Sequence, residues 1–364
     1  MDNAPLLILA AGGTGGHMFP AQAVAETMLL RGWRVVLSTD IRGSHYSGSF
    51  PDEVKVEVVS SGTFARSGLA NKVFVPISLT IGLLSAFNNM RKWRPTVVVG
   101  FGGYPTIPAM GAACALGVPT ILHEQNGVLG KVNRLFVSRV DKVACGTFPT
   151  KLPNNLKASY VGNPVRQTVL SKHGAGYIKP GDYPMDILIM GGSQGAKILS
   201  DIVPRSIALL PRNILNNLRV SQQARPEDCS RVSEAYAALG VRAIVQPFFT
   251  DISDRISRSQ LIVSRSGASS VADISTIGRP SIFVPLAAAI RDEQTANAKE
   301  LVEAGGALLL TESEFTAENV ANKIESVLQD GSKAQAMADA ALGCARPNAT
   351  ADIAHMINNL AGKL

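Results

Sequence analysis

The chain carries one local device twice, and this repetition constrains its fold more than any other feature. An apolar run at 6–11 enters Gly12-Gly13-Thr14-Gly15-Gly16-His17, and a helix-like stretch follows. A second apolar run at 185–190 enters Gly191-Gly192-Ser193-Gln194-Gly195, again ahead of a helix-like stretch. A strand that ends in glycines and restarts as a helix aims backbone N–H groups and a positive helix end at an anion. Two copies, one in each half, predict two similar α/β halves facing one cleft. That plan suits an enzyme holding two substrates, one of them phosphorylated.

The rest of the chain alternates in the same way. Strand-like runs fall at 6–9, 35–38, 54–59, 96–99, 120–122, 140–144 and 159–161 in the first half. In the second they fall at 187–190, 218–221, 243–245, 261–264, 281–284 and 307–310. Several are unbroken Val/Ile runs, as expected for strands covered on both faces of a parallel sheet. The pattern predicts doubly wound parallel α/β domains, with ligands beyond the C-terminal ends of the strands. The first helix is expected to carry Pro20 in its first turn and Ala21, Val24, Ala25 and Met28 on one face, with Gly32 after its end. Gly162-Asn163-Pro164 reads as a linker and 171–183 as a surface loop. The segment 351–364 reads as a helix whose host domain the sequence does not identify.

Bulk properties narrow the class. A chain of 364 residues has room for two cores. With 46% hydrophobic and 17% charged residues it is globular. Cys114, Cys145, Cys229 and Cys344 form no CxxC pair, and the histidines show no HxxxH spacing. Neither a disulfide frame nor a metal centre is expected, and a reducing compartment is. The start lacks the pattern of a signal peptide, so a cytosolic protein is expected. The apolar stretch 73–87 is broken by Pro76 and is too short to span a bilayer; 105–122 reads as helix plus strand. A net charge of +7 suits nucleic acid, an anionic membrane or a phosphorylated ligand and does not choose among them.

Neither glycine loop fits GxGxxG: Met18 stands where the first loop's third glycine belongs, and after Gly191 the spacing also fails. This disfavours a dinucleotide dehydrogenase, although Asp40 could pose as its ribose-binding acid. Each loop alone could be a tight structural turn. His17 at the mouth of the first helix is either a backbone-bonded histidine or a base, kept neutral by the helix dipole. Phe101-Gly102-Gly103-Tyr104-Pro105 is a further glycine turn at a strand end. His123-Glu124-Gln125-Asn126 ends another strand with four polar side chains, either for solvation or to hold a sugar acceptor. Arg265-Ser266-Gly267-Ala268-Ser269-Ser270 forms a third strand-to-helix anion site, with Arg265 available to phosphate. Asp273, Asp292 and Glu293 can each be read as solvated or dipole-facing helix residues.

GGTGGHMFPA, GFGGYPTIPA, LHEQNGVLGKVNR, VGNPVR, GGSQGA, SRSGASSVADI and DEQTANA occur in one order across nearly the whole chain. Together they resemble the MurG family, bacterial transferases that add N-acetylglucosamine to undecaprenyl-linked muramyl-pentapeptide (lipid I) to give lipid II. The resemblance implies the GT-B glycosyltransferase fold, two Rossmann-like doubly wound domains with an interdomain cleft. It implies an acceptor and membrane-facing domain at 1–163, a UDP-sugar domain at 164–345, and a terminal helix at 346–364 packed back on the first domain. It places Ser193, Arg265, Ser266, Gly267, Ala268 and Ser269 near the donor diphosphate, with Arg166 also at the donor. Phe248 and Phe249 match the uracil segment and Gln294 a sugar contact. Thr14, Gly15, Gly16 and Asn126 line the cleft from the other side and are also implied to bind UDP-N-acetylglucosamine. Asp273 stands where the family usually has Glu against the ribose, one methylene shorter. Glu293 stands where many relatives have His or Gln and is left out of the site.

The implied reaction is a single inversion, by the acceptor's C4 hydroxyl, of an α-linked donor into a β-linked product. His17 is expected to be the base or to position it, with Glu124 the next candidate. UDP can be stabilised by loop amides and Arg265, so no essential metal is expected, in keeping with the lack of a clear DxD motif. Expected partners are UDP-N-acetylglucosamine, lipid I, an anionic inner-membrane surface and other cell-wall synthesis proteins, with no nucleic acid. The expected place is the cytoplasmic face of the bacterial inner membrane. There the stretch 73–87, flanked by Arg66, Lys72, Arg91, Lys92 and Arg94, serves either as core helix or as a lipid-facing surface. A UDP-sugar 2-epimerase and a non-catalytic nucleotide-sugar-binding scaffold are the competing readings.

Overall fold

The computed structural model describes residues 4–59, 69–153, 156–192, 195–287 and 290–362. The chain forms two compact units, Met1–Arg166 with Pro347–Leu364, and Gln167–Arg346.

Unit 1 is built on β1 (Leu6–Ala11), β2 (Arg34–Thr39), β3 (Lys55–Val58), β4 (Val97–Gly102), β5 (Thr120–Glu124), β6 (Lys142–Cys145) and β7 (Ser159–Tyr160). They lie in the order β3-β2-β1-β4-β5-β6-β7, every pairing parallel. Unit 2 is built on β8 (Met185–Met190), β9 (Leu218–Gln223), β10 (Arg242–Gln246), β11 (Leu261–Ser264), β12 (Ser281–Phe283) and β13 (Ala307–Leu309). Their order is β10-β9-β8-β11-β12-β13, again all parallel. Each sheet winds outward from its first strand and then resumes on the other side. The direction reverses between β1 and β4 in unit 1 and between β8 and β11 in unit 2, where doubly wound sheets take ligands.

The unbroken apolar runs follow from two-sided burial. In β1, Leu7, Leu9 and Ala11 face one core with Met18, Val24 and Met28 of the helix Gly15–Leu30. Leu6, Ile8 and Ala10 face a second core with Ala109, Met110 and Ala113 of the helix Thr106–Leu116. Alternate residues point to opposite faces of a strand, so both positions must be apolar when both faces are covered. The helix Ala349–Ala361 belongs to the first of these cores, through Ile353, Ala354, Ile357 and Leu360.

One local expectation is corrected. The first helix begins at Gly15, so Pro20 lies inside it rather than in its first turn. The Thr14 carbonyl already accepts from the amides of His17 and Met18, at 3.1 and 3.2 Å, which starts the helix within the glycine loop. Among the described residues no helix is long and apolar enough to cross a membrane.

Candidate active site

In unit 1 the loops after β1 and β4 meet at the switch point. Gly13, Gly102 and Gly103 all have positive φ, at 87°, 97° and 82°. A Cβ on Gly103 would stand 2.6 Å from the Gly12 carbonyl oxygen, and one on Gly12 would stand 2.5 Å from the Pro105 ring. Side chains are excluded at both points, which lets the two backbones touch. His17 follows on the first turn of the helix. Its Nδ1 lies 3.0 Å from the Gly12 carbonyl oxygen. A carbonyl can only accept, so Nδ1 carries the proton and Nε2 holds the basic lone pair. Burial lowers the pKa of this ring, and the Gly12 hydrogen bond offsets that in part. His17 is therefore neutral at neutral pH, the form a base requires.

Glu124 ends β5 and is buried. One carboxylate oxygen accepts from the Asn126 amide at 3.0 Å and the Asn126 side chain at 3.1 Å. The other accepts from the Gly130 amide and the Asn133 side chain, both at 2.8 Å. Burial pushes its pKa up and these four donors oppose the rise. Glu124 thus holds the loop that carries Asn126, and its oxygens are already occupied, unlike those of a base open to a substrate hydroxyl. Asn133 and His17 both border Gly102, where an added Cβ would meet Asn133 Oδ1 at 3.2 Å and His17 Cδ2 at 3.3 Å. Sequence reasoning missed Asn133 as a site residue. Its place in the run after HEQN was the available signal.

His123 points into the protein instead. Its Nε2 donates to the Gly162 carbonyl at 3.1 Å, and its Nδ1 accepts from the Gln125 amide at 3.0 Å. Burial depresses its pKa to about 4. Arg166 lies in unit 1, with its guanidinium 4.4 Å over the Phe19 ring, rather than in the unit of the other expected donor contacts.

In unit 2, Ser193 and Gln194 of the glycine loop lie outside the described residues. The loop after β11 is described throughout. It leads through Gly267 into the helix Ala268–Ile277, which has no side-chain cap. Among the described residues the buried hydroxyls Ser266 Oγ and Ser269 Oγ have no hydrogen-bond partner. Open amides at a helix start beside unsatisfied buried hydroxyls make a donor-rich cradle for an anion. Asn297 fixes its rim by donating to the Ser266 carbonyl at 3.1 Å. Asp273 is half-buried on the same helix.

Arg265 opens this loop and also makes scaffold contacts. It is buried, and Nη1 donates to the carbonyls of Val284 and Pro285 at 3.0 and 3.1 Å. Nη2 pairs with Glu312 at 2.6 Å. The guanidinium ties the loop after β12 to the segment after β13 through Nη1 and one N–H of Nη2. Phe249 is buried with the Arg255 guanidinium 4.1 Å over its ring, whereas Phe248 is 56% exposed. The Gln294 side-chain oxygen accepts from the Leu286 amide at 3.0 Å. Just before Gln294, Arg291 and Asp292 hold φ of 59° and 56°, a strained turn for residues with side chains. Among the described residues no group of three or more His, Cys, Asp and Glu is arranged to hold a metal ion.

Residues 7–145 match the glycosyltransferase family 28 N-terminal domain and residues 186–357 its C-terminal domain. A UDP-N-acetylglucosamine--N-acetylmuramyl-(pentapeptide) pyrophosphoryl-undecaprenol N-acetylglucosamine transferase of Bradyrhizobium diazoefficiens is 41% identical, over 100% of both chains. The enzyme of that name from Caulobacter vibrioides is 42% identical over 98% of this chain and 99% of its own. The crystal structure of Acinetobacter baumannii MurG superposes with a TM-score of 0.76 at 31% identity, covering 98% of this chain and 99% of that one. A UDP-GlcNAc 2-epimerase from Neisseria meningitidis shares the fold, with a TM-score of 0.69 at 14% identity. Full-length identity of this order, with both domain matches, separates the chain from the epimerases: it belongs to the MurG family within glycosyltransferase family 28.

Proposed function

We propose that the chain transfers N-acetylglucosamine from UDP-N-acetylglucosamine to the C4 hydroxyl of undecaprenyl-diphospho-muramyl-pentapeptide. The observation that carries this reading is the anion cradle of unit 2, where Ser266 and Ser269 hydroxyls wait unpaired at the start of the helix Ala268–Ile277. Groups arranged in advance around a developing diphosphate charge stabilise it without reorganising. The segment at Phe248 and Phe249 receives the uracil, and Asp273 and Gln294 receive the ribose and sugar hydroxyls.

Unit 1 supplies the acceptor side through Thr14, Gly15, Gly16 and Asn126. His17 Nε2 takes the C4 proton as the C4 oxygen attacks the anomeric carbon. The bond from that carbon to the phosphate oxygen breaks with its electron pair going to UDP, so the α donor gives a β product. Proton removal by a positioned base contributes about 10²- to 10⁴-fold. Glu124 acts indirectly, by holding Asn126 and Asn133.

The enzyme works peripherally on an anionic membrane. On the helix Leu69–Trp93, Ala86 and Met90 face the core while Ile81 and Leu84 are 56% and 59% exposed. Arg91 and Lys92 stand in the last turn. Exposed apolar side chains beside cations are what an anionic bilayer surface holds. Flotation with anionic vesicles but not neutral ones supports this. Flotation indifferent to lipid charge contradicts it.

The activity is tested by transfer of labelled N-acetylglucosamine to a lipid I analogue, with and without chelator. Label should appear in the lipid product and require the acceptor. Release or epimerisation of the sugar without acceptor would favour the epimerase reading, and binding without turnover the scaffold reading.

A further inference from the structure

Gln223 is the last residue of β9, the strand between β8 and β10. The three strands run parallel, so they leave the sheet along one edge. There β8 continues into Gly191 and Gly192, and β10 continues into Pro247, Phe248 and Phe249. The buried Gln223 side chain spans the gap between these two exits. Its Oε1 accepts from the Gly191 amide at 3.1 Å. Its Nε2 donates to the Gly192 carbonyl at 2.9 Å and to the Pro247 carbonyl at 3.0 Å. Both amide hydrogens and the amide oxygen are used, each on backbone, and the two loops are joined through one planar group.

We propose that Gln223 is a positioning residue that sets the distance between the diphosphate loop and the base-reading segment of the donor site. The inference rests on the assignment of the sugar nucleotide to unit 2. A ligand that engages two subsites through a short linker gains from both only when their spacing is held in advance. Loosening the clamp therefore weakens ligands that span both subsites. Ligands that fill one subsite are affected little. Loss of a direct contact would instead weaken a single-subsite ligand as much as the whole nucleotide.

The test compares the native enzyme with Gln223→Leu and Gln223→Glu. The first removes all three hydrogen bonds at similar size. The second keeps an acceptor for Gly191 and turns a carboxylate toward two carbonyls. In both variants KM for UDP-N-acetylglucosamine and Ki for UDP should rise roughly tenfold, the effect of about one lost hydrogen bond, with kcat changed less than about twofold. Ki for uridine and for pyrophosphate should move less than about threefold. If Gln223→Leu does not fold, Gln223→Glu gives the same comparison. Unchanged KM, a loss in kcat alone, or equal weakening of uridine and UDP would each overturn the proposal. Native enzyme that fails to bind UDP-N-acetylglucosamine would overturn the donor assignment itself. Native binding with unaltered variant affinity would overturn the clamp alone.

Discussion

His17 donates from Nδ1 to the Gly12 carbonyl at 3.0 Å, so the backbone of the glycine loop selects the tautomer of the proposed base. His17→Ala should lower kcat about 10²- to 10⁴-fold while leaving the affinity for UDP within about twofold. Burial lowers the pKa of this ring below its ordinary 6.5. The base is mostly unprotonated at pH 6.5, and the acid limb of the kcat/KM profile lies below that value. Near-normal turnover in the variant would remove His17 from the chemistry.

Ser266 and Ser269 hydroxyls are buried in unit 2 without partners among the described residues. An unpaired buried hydroxyl contributes nothing to folding, so Ser266→Ala and Ser269→Ala should leave Tm unchanged or slightly raised. Each should weaken UDP-N-acetylglucosamine by roughly 10- to 150-fold, as expected for one hydrogen bond to a charged group. Calorimetric titration of each variant, beside its melting curve, checks both halves.

Arg265 presents the opposite case. Its guanidinium serves Val284, Pro285 and Glu312 within the scaffold. Arg265→Met should cost about 3 kcal/mol of stability by stranding those partners, measured as a drop in the urea midpoint. Glu312→Gln should reproduce part of that loss. A direct phosphate ligand would give weakened donor binding at unchanged stability.

His123 is buried neutral, with its pKa near 4 against an ordinary 6.5. The unfolded chain therefore takes up a proton before the folded one does. The stability due to neutral His123 is complete above about pH 6.5 and is lost as pH falls toward 4, about 3 kcal/mol in all. Glu124, with its pKa raised, acts in the opposite sense as pH falls. The direct measurement is the titration of the His123 ring by NMR, which should have its midpoint near pH 4. A midpoint near 6.5 would contradict the buried bonds to Gly162 and Gln125.

Backbone organisation was legible because burial imposes composition. The expected runs at 96–99 and 261–264 are apolar at consecutive positions 97–99 and 261–263, as the two covered faces of a parallel sheet require, and every described strand overlaps an expected run. The glycine loops were legible because close backbone approach excludes side chains at Gly12 and Gly103. Side-chain commitments were not. Arg265 finds Glu312, and Gln223 finds Gly191 and Pro247, only through the fold. An arginine beside a helix start reads as a phosphate contact, and its structural partners Val284, Pro285 and Glu312 are far away in sequence. Pro20 misled for a related reason, since the helix start is set by the Thr14 carbonyl rather than by the proline.

The proposed reaction is one inverting transfer from UDP-N-acetylglucosamine to lipid I. Its most direct test is NMR of the product formed from donor labelled with ¹³C at the anomeric carbon and a lipid I analogue. The account predicts a labelled disaccharide with the new bond β at C4 of the muramyl sugar. An α linkage, a different acceptor hydroxyl, or label found only in free or epimerised sugar would contradict it.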